Sequence, residues 1–154
     1  MLADRLIKAA AALAAAAFFV PVSSAQDGVL DPAALLPGYW GWDPEAVEAG
    51  AFGTCENSPM RIWFSDGGER YNSQWEGDES VATAPIVMRL PSSRDSAGFL
   101  IRYDDEERLA PDGHPVEWLL LMTGSTQFVW IRRDWITTGD STAPMLRCDD
   151  ALIG

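Results

Sequence analysis

Short runs in which apolar and polar residues alternate dominate the chain from residue 60 to residue 148. In Met60–Ser65, for example, Ile62 and Phe64 would share one face of a strand. A period of two predicts β-strands, and turn signals such as Asp66-Gly67-Gly68 separate the runs about every 8–12 residues. The predicted strands are 36–42, 60–65, 69–75, 81–90, 99–103, 116–122, 126–133 and 145–148.

These elements predict an all-β fold, an antiparallel meander of about seven to eight strands in a single domain, 26–154. Closure into a small barrel is favoured over a sandwich because closure removes the exposed edges of the meander. One short helix is expected directly after the first strand. Asp43-Pro44 supplies an N-cap and a proline at the first helical position, and Gly50 would end the helix.

Ten large apolar side chains would point into the barrel under this alternation. They are Ile62, Phe64, Ile86, Met88, Phe99, Ile101, Trp118, Leu120, Phe128 and Trp130. Several strands are apolar on the opposite face as well, although a sheet face that meets water should be polar. These outer positions are Trp63, Val87, Leu100, Leu119, Leu121, Val129 and Ile131. The short helix, the N-terminal segment or a second subunit should therefore cover part of the outer face.

The first 25 residues have the composition of an export signal. Arg5 and Lys8 form a short basic head, residues 9–22 form an Ala-rich apolar run, and Ser23-Ser24-Ala25 places small residues before a cut at Gln26. The apolar run is shorter than the roughly 20 residues that span a bilayer, which favours cleavage over a retained anchor. The expected product is periplasmic or secreted, with no stable membrane anchor after cleavage.

The charge balance excludes one class of partner. The sequence carries 11 basic and 23 acidic residues, and its only lysine lies in the predicted signal. Removing the signal takes away one net positive charge from a total of −12 and leaves −13. An acidic chain without a basic patch is repelled by phosphate backbones, so no nucleic-acid partner is expected. Seven Trp, six Phe and three Tyr also argue against disorder.

The two cysteines, Cys55 and Cys148, are expected to form a disulfide in an oxidising compartment. The alternative is a thiol pair that is catalytic or binds a metal. That alternative lacks both the CxxC spacing and a nearby histidine. The disulfide would close a long loop and would serve stability.

Gly38-Tyr39-Trp40 lies in the first predicted strand. It resembles the Gly-x-Trp motif of lipocalins and of the wider calycin barrels, in which the Trp plugs one end of an eight-stranded barrel and stacks against an arginine from a late strand. The resemblance implies that Arg147, or else Arg132 or Arg133, supplies that guanidinium here. A disulfide that reaches the C-terminus is also common in that family. The Thr-Asp-Tyr box of typical lipocalins is absent from this sequence, and small periplasmic inhibitor barrels share its length and Gly-x-Trp.

No catalytic or metal-binding arrangement is predicted. His114 is the sole histidine and lies in a turn, whereas a Ser-His-Asp site would need a serine elbow beside it. Tetrahedral zinc needs several His or Cys ligands, and the acidic turns 104–107 and 149–150 lack calcium-loop spacing. Paired carboxylates for glycoside hydrolysis stay open, although nothing singles out a pair. A non-enzyme without a cofactor is therefore expected.

Two functions fit this sequence. A lipocalin-like module would hold a small hydrophobic molecule in the barrel mouth, in a cavity lined by Phe64, Met88, Tyr103, Trp118, Phe128 and Trp130. A protein-interaction barrel, such as an inhibitor or an accessory subunit, would instead use an outer patch of Leu119, Leu121, Val129 and Ile131. A structural envelope protein is a third alternative. The aromatic side chains could also fill the core without a ligand, because eight strands leave little more room than side chains occupy.

Overall fold

The computed structural model describes residues 28–149. The predicted export signal and its cleavage site lie outside the described residues. No helix within 28–149 is long and apolar enough to cross a membrane.

Eight antiparallel strands form a closed barrel in which each strand pairs with the next in sequence and the last pairs with the first. This confirms the predicted all-β fold and its closure. The strands are β1 Gly38–Trp42, β2 Met60–Ser65, β3 Arg70–Trp75, β4 Ala82–Arg89, β5 Ala97–Ile101, β6 Trp118–Gly124, β7 Gln127–Arg132 and β8 Met145–Arg147. A single turn of helix, α1 Pro32–Leu35, precedes β1.

The short helix therefore lies before the first strand and not after it. At α1, Asp31 accepts a hydrogen bond from the amide of Ala33 and Pro32 begins the helix. The segment after Asp43 forms turns instead. The amide nitrogen of Asp43 donates a hydrogen bond to the carbonyl oxygen of Pro144, the residue directly before β8. This bond ties the segment to the start of β8.

The prediction that Met88 points into the barrel is wrong. Ile86 pairs with Ile101, whereas Met88 pairs with Leu100, so the register between β4 and β5 shifts by one residue. Such a bulge turns the following side chains to the other face of the sheet. The side chain of Met88 consequently lies on the outer surface and is 51% exposed.

Trp40 closes one end of the barrel and is fully buried. Its indole Nε1 donates to the carbonyl oxygen of Leu36 at 2.7 Å. Its ring meets Phe128 edge-on, with the two centroids 4.9 Å apart. The guanidinium of Arg147 lies over the indole, with Cζ 5.5 Å from the ring centroid. The structure thus brings the Trp of the Gly-x-Trp motif and an arginine of the last strand together.

Arg147 also holds the segment that enters the barrel. Its guanidinium donates to the carbonyl oxygens of Leu35 and Pro37. Gly38 belongs to the same arrangement, because it has φ +133° and a Cβ there would lie 2.8 Å from Nη2 of Arg147. The two alternative arginines pair elsewhere, Arg132 with Asp134 and Arg133 with Glu117.

The chain's own residues cover part of the outer, apolar face of the barrel. Leu100 and Leu119 are buried, and Ile136, which follows β7, borders the same groove. The guanidinium of Arg61 lies over the ring of Trp63, 5.4 Å from its centroid. Arginine side chains can shield apolar surface in this way while their charge stays in water.

The disulfide between Cys55 and Cys148 is confirmed, with a Cα–Cα distance of 5.4 Å. It joins the loop between β1 and β2 to the residue that follows β8. Gly41 permits this approach, because a Cβ there would lie 2.3 Å from the amide nitrogen of Cys55. A disulfide of this kind indicates an oxidising, extracellular type of compartment.

Replacing both cysteines, as Cys55→Ser with Cys148→Ser, is expected to lower the free energy of unfolding by about 4 kcal/mol. The disulfide spans 93 positions, and closing a loop of that length removes a large entropy from the unfolded chain, about 4–5 kcal/mol by loop closure alone. Urea denaturation of the two proteins at equal pH measures the loss. An unchanged midpoint would contradict this role.

Gly38→Ala is expected to destabilise the fold by more than Gly77→Ala. Gly77 has φ +83° with open space at its Cβ position, so alanine there costs about 1–2 kcal/mol of backbone conformation alone. At Gly38 the methyl group would also displace Arg147, which should add about 1–2 kcal/mol. Urea denaturation gives both values.

The same pair of variants in an Arg147→Ala background isolates the contact. The extra cost at Gly38 should fall when the guanidinium is absent. An extra cost that persists unchanged would mean that backbone strain alone requires this glycine.

Candidate ligand-binding cup

The end of the barrel opposite Trp40 is open and contains a cavity of about 420 Å³. We call this cavity the cup. Its wall is made by side chains from the ends of six strands and from the loops that join the strands. The lining residues are Trp42, Met60, Ser73, Gln74, Trp75, Asp78, Ser80, Val81, Ala82, Tyr103, Asp105, Arg108, Trp118, Trp130 and Thr142.

Aromatic rings form most of the apolar wall of the cup. Trp42 and Trp75 lie on neighbouring parts of the wall, with ring centroids 6.1 Å apart. Phe52, which is exposed, packs against the outer part of Trp75 at 5.5 Å. Gly53 makes room for both tryptophans, because a Cβ there would lie 2.7 Å from Trp75 and 2.8 Å from Trp42.

Three of the six side chains predicted to line a cavity do line the cup: Tyr103, Trp118 and Trp130. Phe128 lies deeper and is fully buried, in edge-on contact with Trp130 at 5.8 Å. Phe64 packs in the core against Phe99 at 5.7 Å. Met88 lies outside the barrel for the reason given above.

Trp42 and Trp75 are the two aromatic cup residues that the sequence did not predict. Their signal was present in the alternation, since Trp42 follows Trp40 by two residues and Trp75 shares a face with Tyr71 and Ser73. Residues at strand ends can turn either inward or outward. Which residues reach the mouth is decided by how far each strand extends.

A buried hydroxyl lies just below the cup. Tyr71 is fully buried, and among the described residues its hydroxyl is the one buried side-chain oxygen or nitrogen without a hydrogen-bond partner. The hydroxyls of Ser73 and Tyr103 are its nearest polar neighbours and influence its pKa, yet neither meets hydrogen-bond geometry with it. Both neighbours line the cup. The cup therefore has hydrogen-bonding capacity at its floor.

Burial governs the protonation of these phenols. It raises the pKa of Tyr71 well above the ordinary value and raises the pKa of Tyr103 to about 12. Both side chains are therefore neutral at physiological pH. Each can donate or accept a hydrogen bond.

The rim of the cup carries three charged side chains, Asp78, Asp105 and Arg108. Arg108 is occupied, because its Nε and Nη2 each donate to one carboxylate oxygen of Glu106 at 2.6 Å. This bidentate pairing lowers the pKa of Glu106. The guanidinium of Arg108 also lies over the ring of Trp118, 5.6 Å from its centroid.

The other residues considered from the sequence lie away from the cup. His114 is exposed in its turn beside Asp112, with Nδ1 and Oδ1 3.5 Å apart, and borders a polar pocket of about 350 Å³. Within 28–149 no three His, Cys, Asp or Glu side chains are placed to hold a metal ion. Of the predicted interface residues, Leu119 is buried, and the other three, Leu121, Val129 and Ile131, are half-buried.

Comparison with known proteins gives the chain no family. No family model matches it, and no curated protein matches it. Among solved structures it is similar to the crystal structure of Treponema pallidum Tp0751 (pallilysin). That match has a TM-score of 0.40 and 9% sequence identity, and covers 75% of this chain and 82% of that chain.

Tyr71→Phe is expected to leave the free energy of unfolding unchanged or to raise it by up to about 1 kcal/mol, because the hydroxyl it removes is buried without a partner. Trp40→Phe is the contrasting variant. It removes a buried donor that is hydrogen-bonded and should cost about 2 kcal/mol or more. Thermal and urea denaturation measure both effects. A loss above about 1 kcal/mol for Tyr71→Phe would show that the hydroxyl is paired.

Proposed function

We propose that this protein is an exported, non-catalytic, lipocalin-like barrel that binds a small hydrophobic molecule in the cup. The observation that carries the proposal is an open cavity of about 420 Å³ whose wall holds four tryptophans and a tyrosine. Ligand sites are typically concavities of about 300–1,000 Å³ with an apolar lining and a few polar groups. The cup has that size and that composition.

Export is supported by two independent features. The disulfide between Cys55 and Cys148 favours an oxidising compartment. The first 25 residues have the charge and apolar pattern of a cleaved signal. A carrier or sensor of apolar molecules would act in such a compartment.

A non-catalytic role is supported by the cup lining. It contains neither histidine nor cysteine, and its one arginine is held by Glu106. The sole histidine of the chain borders a different pocket. The lining suits binding through ring faces and a few hydrogen bonds.

A protein-interaction barrel is the second candidate. It is favoured by an apolar groove of about 320 Å³ on the outer wall, around Leu100 and Leu119. Val87, Met88 and Ile136 are each about half exposed at its border. The sequence predicted an outer patch of Leu119, Leu121, Val129 and Ile131. The more exposed apolar side chains around this groove are instead Val87, Met88 and Ile136.

Native mass spectrometry of the exported protein tests the proposal. The full chain is expressed with its own N-terminus in a bacterial host, purified gently from the periplasm, and weighed intact and after denaturation. We expect the mass of 26–154 less two hydrogens, with an additional few hundred daltons that are lost on denaturation. A dimer or a co-purified protein would favour the interaction barrel, and a mass that retains 1–25 would contradict export.

Ala82→Phe provides a direct test of where the ligand binds. Ala82 lines the cup and pairs across the sheet with Ser73, so a phenyl ring there would fill the cavity. We expect binding of the neutral probe N-phenyl-1-naphthylamine, followed by its fluorescence, to weaken at least about tenfold. The control Val87→Phe adds the same ring to the outer wall, where the side chain is 48% exposed. Equal loss in both variants, or no binding to the unaltered protein, would contradict a cup site.

A further inference from the structure

Four of the seven tryptophans have an arginine over the ring. Arg147 covers Trp40, Arg61 covers Trp63, Arg108 covers Trp118 and Arg132 covers Trp135, with Cζ 5.2–5.6 Å from the ring centroid. Within residues 28–149 the three that have none are Trp42, Trp75 and Trp130, and all three line the cup. Indole faces attract cations through the quadrupole of the ring. The cup is thus where the indole rings without an arginine partner lie.

The charges at the cup have the sign that a cation requires. Asp78 and Asp105 line the rim, and no hydrogen bond or ion pair to a basic side chain engages either carboxylate within the described residues. Asp78 accepts a hydrogen bond from the backbone amide of Ser80 at 2.8 Å. Arg108, the one basic side chain of the lining, has its charge offset by Glu106. An anion entering the cup would therefore meet two carboxylates and no free positive charge.

The hydroxyl groups at the floor of the cup set a second requirement for the ligand, a hydrogen-bonding group. The hydroxyl of Tyr71 lacks a partner, and its polar neighbours Ser73 and Tyr103 face the cavity. Because the Tyr71 hydroxyl is itself fully buried and outside the lining, a hydrogen-bonding group of an occupant would meet the hydroxyls of Ser73 and Tyr103. This group would sit at the end of the ligand that is remote from the rim.

We infer that the cup selects an organic cation with an apolar body. Its positive charge would lie at the rim near Asp78, Asp105 and the indole rings that have no arginine partner, and its far end would bear a hydrogen-bonding group that meets the hydroxyls of Ser73 and Tyr103. The inference rests on the proposed function. It narrows the ligand from any small hydrophobic molecule to an amine or quaternary ammonium compound. Rim carboxylates and cation–π contacts act together on the same charge.

Three probes with one naphthalene body test the charge. They are 2-(naphthalen-2-yl)ethylammonium, the corresponding neutral alcohol, and 3-(naphthalen-2-yl)propionate. Isothermal titration calorimetry at low ionic strength should show the ammonium binding at least about tenfold more tightly than the alcohol, and the propionate most weakly, as expected for carboxylates within a few ångströms. Added salt should reduce the preference.

The double variant Asp78→Asn with Asp105→Asn should reduce the preference for the ammonium over the alcohol by about five- to tenfold and leave the affinity for the alcohol unchanged. Asp95→Asn is the matched control, because Asp95 is an exposed carboxylate in the loop between β4 and β5, away from the cup. It should change neither affinity. An equal loss in the control would attribute the preference to net charge and overturn the inference.

The 6-hydroxy derivative of the naphthylethylammonium probe tests the floor. It should bind about three- to tenfold more tightly than the parent amine, and Tyr103→Phe should remove that gain without weakening the parent amine. A gain that survives in Tyr103→Phe would overturn the role of the floor.

The two proposals fail in different ways. Alcohol binding equal to or tighter than ammonium binding would overturn the cation inference and leave the cup as a hydrophobic site. Absence of binding by all of these probes and by N-phenyl-1-naphthylamine would overturn the proposed function itself.

Discussion

The contact between Trp40 and Arg147 joins the first strand to the last and so helps to close the barrel. These two residues face each other across β1 and β8, which are the first and last strands and would otherwise be two exposed edges. β8 has only three residues and few backbone bonds of its own. Its position therefore depends on side chains: the guanidinium over the indole, its bonds to Leu35 and Pro37, and the disulfide at Cys148 one residue further on.

Closing one end this way explains why space remains at the other. An eight-stranded barrel is only just wide enough for its own side chains, and the lower half here is filled by Trp40, Tyr71, Phe99 and Phe128. In the upper half, Ser73 and Ala82 face each other across β3 and β4. Two small side chains at one cross-strand pair leave a gap in the layer where large ones would meet. The rings at the strand ends then stand around that gap and do not fill it.

The sequence predicted the features that depend on local pattern and on compartment. Period-two alternation located the strands, the even cysteine count located the disulfide, and Gly38-Tyr39-Trp40 indicated which end is plugged. Features set by tertiary structure escaped it. The bulge beyond Ile86 that turns Met88 outward depends on the pairing of β4 with β5, and the turns after Asp43 depend on its bond to Pro144. The cup itself depends on small residues being opposite each other, which no single strand reveals.

The arginines of this chain pack over four of its tryptophan rings, and only one of those four rings lines the cup. Every basic residue after the predicted signal is arginine, whose planar guanidinium can stack on a ring and hold a carboxylate at once, as lysine cannot. Arg108 does both, with Trp118 and Glu106. An arginine placed in the same way over Trp75 or Trp130 would occupy the mouth of the barrel. Of the four tryptophans that line the cup, Trp118 alone has an arginine over its ring, and the other three pack against aromatic side chains or face the cavity. Within residues 28–149 no hydrogen bond or ion pair joins the carboxylates of Asp78 and Asp105 to a basic side chain, and these charges at the open mouth suit the cationic ligand that we propose.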